Sequence, residues 1–419
     1  MEQWLDDQID RRLVRTFFLA LQAIVRFRHS RSGLLLGELG THVLSPSRAP
    51  AGTKRLSNLL RSPRWSHTLL DWFLWRLADQ ALGRLEESGE TDLAIWDESV
   101  LEKPESIAVE GLCPVRSSKA ARLKRIKPGF FNPPGGPPVF VPGLHWLTVM
   151  VSGMNGPPAL AAMDWWTSRG RMASDRTTQK TSLLSRCAEG WGRRVVHLFD
   201  RGFAGAPWLT ELSSHRLRFI MRWPARYHLV DALGSRAAWQ ITRGKRSQGH
   251  RQIRDFHRRQ YRKTGILAVP VRHPQLDEEM WLVVSRPGKG RTPWYLLTNE
   301  PIASSDDAWR VVLSYARRWQ IEMCYRACKT DLAMESPRLW FWENRLKLLL
   351  MVSLVYAFLL SLLAKETISL VQNLLRTWCH RTGKRYREAA IPLSRIRAAL
   401  SSLWVAYPPV FPICQETPG

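Results

Sequence analysis

Acidic residues are the first thing this chain has little of. Asp and Glu together number 36 against 62 Lys and Arg, so the formal net charge is +26 over 419 residues. Such an excess calls for a polyanionic partner, and nucleic acid phosphate is the usual one, ahead of a membrane surface or an acidic protein. Cysteine is sparse too. Cys113, Cys187, Cys324, Cys328, Cys379 and Cys414 form no CxxC pair and no Cys/His ligand spacing, which argues against a zinc site and suits a reduced cytosolic compartment. No internal repeat stands out, and the N-terminal MEQWLDDQID is acidic and polar rather than a secretory signal. Long apolar runs are missing except for LLLMVSLVYAFLLSLLA, from Leu348 to Ala364 between Lys347 and Lys365. That run is at the short limit for a membrane span. Following directly on a charged helix, it reads as a buried core helix.

Tryptophan, by contrast, is abundant, at 20 residues. Trp interleaved with Arg suits base stacking and cation–π contact, although most of these rings read as packing.

Residues 1 to about 88 carry apolar residues at helical spacing, as in RRLVRTFFLALQAIVRF and HTLLDWFLWRLADQAL. Between them, SPSRAPAGTKRLSNLLRSPRW reads as a loop and short helix. Lys54, Arg55, Arg61 and Arg64 there suit phosphate contacts, with register from Ser57 and Asn58; an ordinary basic surface loop is the equal alternative. From about 91 the pattern turns to strands. DLAIWDES is an apolar run ending in acids, and HWLTVMVSG and PALAAMDWW read as a pair turned at GMNGP. The basic, then Pro/Gly-rich VRSSKAARLKRIKPGFFNPPGGPP reads as a mobile loop that tracks a nucleic acid backbone. A helix is expected near 175 to 190, then a strand VVHLFD ending at Asp200, a turn DRGFAG into the next helix, and a strand LRFIMRW. Residues 223 to about 293 read as a β-rich insertion with basic runs, after which PWYLLTNEP returns to the core.

A helix is expected from about 306 to 330, capped by Asp306 or Asp307. At about 100° per residue, Tyr315, Arg318, Glu322 and Lys329 point within one arc of about 60°, and Cys324 and Cys328 face the other way. One face thus carries a carboxylate, a phenol and two cations. Metal-assisted phosphodiester chemistry needs several hard oxygen ligands. Asp97, in LAIWDES, and Asp200, in VVHLFD, each follow an apolar run as strand-end acids, an odd place for a charge without work there. Glu98, Asp164 and Asp175 read as turn residues or helix caps.

The spacing Tyr315-x2-Arg318-x3-Glu322-x6-Lys329 resembles the YREK signature of one group of bacterial insertion-sequence transposases, group four, which are DDE cut-and-paste enzymes. WDESVLEKPES resembles the family's context for the first acid, and FDRGFAG its context for the second. The resemblance implies an α/β fold with an RNase H-like core, a mixed sheet flanked by helices. It divides the chain into a helical DNA-binding domain (1–88), the first part of the core (89–222), the β-rich insertion (223–293), the second part of the core (294–368) and a helical C-terminal tail (369–419). It implies that Asp97, Asp200 and Glu322 bind two Mg²⁺ ions, with Mn²⁺ able to substitute, and that catalysis passes through a DNA hairpin. Trp294 would receive a flipped base, Tyr315, Arg318 and Lys329 would grip phosphates around it, and Arg222 would be a further DNA contact. The partners implied are the terminal inverted repeats and target DNA, bound by a homodimer, in a bacterial cytoplasm at the nucleoid and with no membrane. A non-catalytic DNA-binding protein derived from such an enzyme is the alternative. Only a short tail follows Lys329, which leaves the pairing surface open.

Overall fold

A computed structural model of the protein describes residue 5 and residues 10–26, 31–103, 108–117, 140–255, 260–288, 290–379 and 393–409. The Pro-rich stretch 128–138, most of the basic loop before it, and 380–392 and 410–419 of the tail lie outside the described residues.

Among the described residues, four helices precede the first strand: α1 (Arg11–Arg26), α2 (Leu36–Val43), α3 (Ala49–Arg61) and α4 (His67–Glu87). α1 buries Val14, Phe17, Ala20 and Ile24, the stripe of an amphipathic helix. α2 and α3 meet at two glycines. A Cβ on Gly52 would lie 2.2 Å from the Gly40 carbonyl oxygen, so this crossing requires a residue without a side chain. The segment 45–65 is more helical than expected. A 3₁₀ turn, Pro46–Arg48, leads straight into α3, where Pro50 in the first turn pre-sets the helical backbone.

The rest of the chain builds one mixed sheet with helices on both faces. In chain order come β1 (Leu93–Glu102), β2 (Cys113–Arg116), β3 (Phe140–Ser152), β4 (Ala159–Trp166), α5 (Arg176–Trp191), β5 (Val196–Phe199), α6 (Ala206–Ser214) and β6 (Arg218–Arg222). Then follow β7 (His228–Asp231), β8 (Gly234–Ala237), α7 (Ala238–Thr242), β9 (Gly249–Asp255), β10 (Gln260–His273), β11 (Leu276–Arg286) and β12 (Trp294–Thr298). The last helices are α8 (Ser305–Ala316), α9 (Trp319–Arg326), α10 (Trp342–Ser361), α11 (Ile368–Trp378) and α12 (Leu393–Ala406). Among the described residues the strand order is β2-β3-β1-β5-β6-β12-β11-β10-β7-β8, with β4 on β3 and β9 on β10. β1, β5 and β6 run parallel, and the other pairings are antiparallel. The segment 223–293 is rich in strands, and they continue the same sheet, because β12 pairs with β6 on one side and β11 on the other.

Strand alternation sorts the core into two layers. Leu93 and Ile95 of β1 share one with Leu198, Ile220 and residues of α1, α3, α8, α9 and α10. Ala94 and Trp96 share the other with Phe199, Phe219 and residues of α5 and α6. α10 is long and apolar enough to cross a membrane, but it is buried along most of its length and carries no polar stripe, as a central core helix does.

Three expectations need correction. Asp97 does not end its strand. β1 pairs with β3 from Leu93↔Ser152 to Glu102↔Gly143, whereas its parallel pairing with β5 stops at Ile95↔Leu198. Asp97 therefore stands mid-strand, beside the notch that opens where β5 ends. The single helix from about 306 to 330 is also interrupted. α8 ends at Ala316, α9 begins at Trp319, and Ala327–Asp331 continues as a wider π-helical turn. The break coincides with Arg317, whose Nε donates to Gly153 O at 3.0 Å and whose Nη2 donates to Ser152 Oγ at 2.8 Å and Gly156 O at 2.6 Å. The β3–β4 turn thus holds the chain where α8 gives way to α9. Ser304, not Asp306 or Asp307, is the cap of α8. It accepts from Asp307 N–H while the Asp307 carboxylate accepts from Ser304 N–H, a reciprocal capping box.

Candidate active site

The notch beside β5 is where charged side chains from distant parts of the chain gather. Asp97 Oδ2 accepts from Arg318 Nη1 at 3.2 Å, and Arg318 Nη2 donates to Glu322 one helical turn on. One guanidinium thus bridges a strand acid and a helix acid. Asp97 and Arg318 are both largely sheltered, and Glu322 is about one-third exposed. Tyr325, a turn beyond Glu322, donates its hydroxyl to Asp97 O at 2.7 Å. Lys329 Nζ donates to Ser99 Oγ at 2.8 Å. Tyr315, Arg318, Glu322 and Lys329 therefore face the sheet together despite the break, and Cys324 and Cys328 are buried behind them.

Asp200 directly follows β5. Its Oδ1 accepts from the Gly202 N–H, which starts the turn Arg201–Phe203. Burial pushes the Asp97 carboxyl up to about 7; Arg318 pulls it back, and the charges of Asp200 and Glu322 push it further up. Asp200 and Glu322 thus each lie within electrostatic reach of Asp97.

An aromatic wall borders this cluster. Trp294 opens β12, with its ring 5.3 Å from that of Tyr315 in an edge-to-face contact. The Arg222 guanidinium lies 5.5 Å from the Trp294 ring centre and donates to Pro293 O at 3.0 Å; Arg318 lies 5.9 Å from the Tyr315 ring centre. Burial draws Arg222 down to about 10, with Arg201 and Arg318 adding repulsion against the pull of Tyr315. A guanidinium so placed stays charged at neutral pH and would gain from an incoming anion.

In their chemistry the three carboxylates suit a divalent cation, being hard oxygen ligands, and the repulsion of Asp200 and Glu322 on Asp97 calls for positive charge there. Arg318 answers that demand here, standing between two of the acids. Among the described residues, no three His, Cys, Asp or Glu side chains are gathered closely enough to hold a metal ion.

Lys54, Arg55 and Arg61 stand exposed on α3, not on a loop. Arg61, Asn58, Ser62 and Arg64 line an open depression of about 520 Å³ with Asp10, Arg12 and Leu13 of the α1 entry.

Residues 169–358 match the transposase DDE domain family. The match covers less than half of the chain. It spans Asp200, Arg222, Trp294, Tyr315, Arg318, Glu322 and Lys329, and it leaves Asp97 outside. It supports a DDE transposase family for this protein, whose members cleave and transpose DNA and generally use divalent metal ions. A solved piggyBac transposase synaptic complex with hairpin DNA is similar at 13% identity and a TM-score of 0.44, over 94% of this chain and 70% of that one, a likeness too slight to build on.

One residue of this cluster, Tyr325, escapes a reading by sequence alone. Tyr325 stands three residues after Glu322, and that helical spacing was its available signal. Asp175 caps α5, accepting from Thr177 N–H at 2.8 Å and Thr178 N–H at 3.0 Å, as expected of a cap. Glu98 is neither a turn residue nor a cap, because it sits in β1 paired with Arg176. Asp164 is likewise within a strand, β4.

Proposed function

We propose that this protein is a cut-and-paste DNA transposase of the YREK-signature insertion-sequence group, acting as a homodimer on transposon ends and target DNA. The observation that carries the reading is the bridge Asp97–Arg318–Glu322, with Asp200 within electrostatic reach, at the end of parallel strand β5. Asp97, Asp200 and Glu322 are the residues that would hold metal. When bound, two divalent ions such as Mg²⁺ would activate the attacking oxygen and stabilise the leaving one.

The protein's own side chains do the rest. β1 and the β5 end carry two acids on a rigid sheet, and α9 brings the third to Asp97 through Arg318. Tyr325 fixes the backbone of Asp97. Arg318 and Lys329 hold DNA phosphates beside the acids. In the hairpin step the terminal base must leave the stack, and the Trp294–Tyr315 wall receives it, with Arg222 on its flank. The exposed cations of α3 bind the DNA backbone farther from the reacting phosphate. An RNase H-like description of the core agrees with a mixed sheet flanked by helices.

The test uses the purified protein, Mg²⁺ and a labelled duplex carrying the inverted repeats that flank its gene. The expected result on a denaturing gel is nicks followed by hairpins, both absent with Asp97→Ala, Asp200→Ala or Glu322→Ala while DNA binding persists. Binding without cutting in the wild type and in all three variants would establish the non-catalytic DNA-binding protein instead.

A further inference from the structure

Glu98 is the neighbour of Asp97 on β1, so its side chain leaves the opposite face of the strand. There it meets Arg176, the first residue of α5. Arg176 Nε donates to Glu98 Oε1 at 2.7 Å and Oε2 at 3.0 Å, and Nη2 donates to Oε2 as well. The same Nη2 donates to Gly202 O at 3.1 Å. Gly202 in turn gives its N–H to the Asp200 carboxylate. A continuous chain of polar contacts therefore runs from the residue after Asp97, through Arg176, to the carboxylate of Asp200. The β1–β5 ladder has already ended at Ile95↔Leu198, so no backbone pairing joins these two segments at the level of the acids.

The parts around this chain are fixed. Asp175 caps α5 and so sets where Arg176 starts. Lys180, one turn later on the same face, lies 4.0 Å from the Phe203 ring centre and 4.5 Å from that of Trp208, which holds the far side of the Asp200 turn. A side chain at Gly202 would press on the Asp200 carboxylate: a Cβ there would stand 2.9 Å from Asp200 Oδ1 and 3.6 Å from Arg176 Nη2, so the carboxylate would have to shift. Arg176 itself is half exposed, so its ion pair adds little to stability, and its role can be separated from folding.

We propose that Arg176 is a positioning residue that ties the segment after Asp97 to the segment after Asp200 and so sets the separation of those two acids. This rests on the catalytic reading above. A planar guanidinium suits the task because it can hold a carboxylate with two nitrogens and still present a donor to a carbonyl. Lys in its place keeps the charge but not the fork. Displacing a reacting group by about an ångström costs on the order of a hundredfold in rate.

The experiment measures nicking rate against Mg²⁺ concentration for the wild type, Arg176→Lys, Arg176→Ala, Gly202→Ala and the Arg176→Ala/Gly202→Ala double variant, with thermal melting and affinity for the end duplex alongside. The expectation for Arg176→Ala is a rate lower by about ten- to a hundredfold and a higher half-saturating Mg²⁺ concentration. Melting temperature and DNA affinity should stay near wild type, and Arg176→Lys should fall between. Because Arg176 reaches Asp200 only through Gly202, the double variant should lose less than the product of the two single losses. An unchanged rate and Mg²⁺ dependence in Arg176→Ala, with the wild type cutting, would overturn this inference alone. So would a loss of rate that tracks a fall in melting temperature, or fully multiplicative losses in the double variant. A wild type that binds the ends but cuts with neither Mg²⁺ nor Mn²⁺ would overturn the catalytic reading, and this inference with it.

Discussion

Trp294 carries two kinds of contact at once, and they predict different phenotypes. Its ring leans edge-to-face on Tyr315 and carries Arg222 on one side, a packing role that every step of the proposed reaction would share. Receiving an unstacked base belongs to the hairpin step alone. Base–aromatic stacking is worth about 1–3 kcal/mol, so Trp294→Ala should slow hairpin formation by roughly ten- to a hundredfold and leave the first nick within a fewfold. Equal slowing of both steps would confine Trp294 to packing. Asp92 makes a separate prediction, about stability. It is buried at the entry to β1, with Arg194 only at 4.0 Å, and burial raises its carboxyl from 3.8 to about 6. The folded state then holds its proton over a range where the unfolded state has lost it. This contribution is fully present below about pH 4 and is lost as pH rises through about 6. Asp92→Asn should flatten the decline in melting temperature between those values and stabilise the protein at neutral pH by on the order of 1–2 kcal/mol. A variant that melts lower than wild type at pH 7 would show that the Arg194 contact outweighs burial.

At the level of elements, α10 does more than fill the core. Lys347 is buried, and its Nζ donates to Leu60 O at 3.2 Å and Ser62 O at 2.9 Å, the free carbonyls at the end of α3, while lying 4.7 Å from the Trp65 ring centre. Glu343 accepts from the His67 N–H at 2.9 Å and takes its ring nitrogen at 2.6 Å. The core helix thus holds the C-terminal end of α3 and the start of α4. Lys347→Met keeps the length of the side chain and removes the donor. It should cost about 1–3 kcal/mol and speed amide exchange in α3 more than in β1. Equal loss of protection in both elements would mean that Lys347 serves the core generally. Such ties also mark where sequence reading stops. Helical periodicity exposed α1 and α4, an unbroken apolar run exposed α10, and the turn GMNGP exposed the β3–β4 pair, because those signals are local. The break at Arg317 depends on acceptors in the β3–β4 turn, 161 to 165 residues away, and the overrun of β1 past Asp97 depends on β3 being long. Tyr325 on Asp97 and Arg176 on Glu98 are likewise contacts between segments far apart in the chain. No window of sequence contains both halves of any of these.

Across the whole molecule, the charge of +26 is divided between at least two places. Lys54, Arg55 and Arg61 stand exposed on α3, where solvent screens them until a polyanion arrives. Arg318 and Lys329 already have partners in the site, Asp97 and Glu322 for the first and Ser99 Oγ for the second. The two groups should therefore respond differently to salt. Each phosphate neutralised releases counterions and steepens the fall of log affinity with log salt by about 0.9. Replacing Lys54, Arg55 and Arg61 together by Gln should reduce that slope by about 2–3. It should leave the nicking rate unchanged once protein is saturating, because these residues act on binding and not on the reacting phosphate. Lys329→Gln should reduce the slope by at most about 1, since its cation must exchange the Ser99 contact for DNA, and it should lower the rate even at saturation. Filter binding at several salt concentrations, paired with single-turnover nicking, separates the two. An unchanged slope in the triple variant would remove α3 from the DNA interface and leave its cations as an ordinary charged surface.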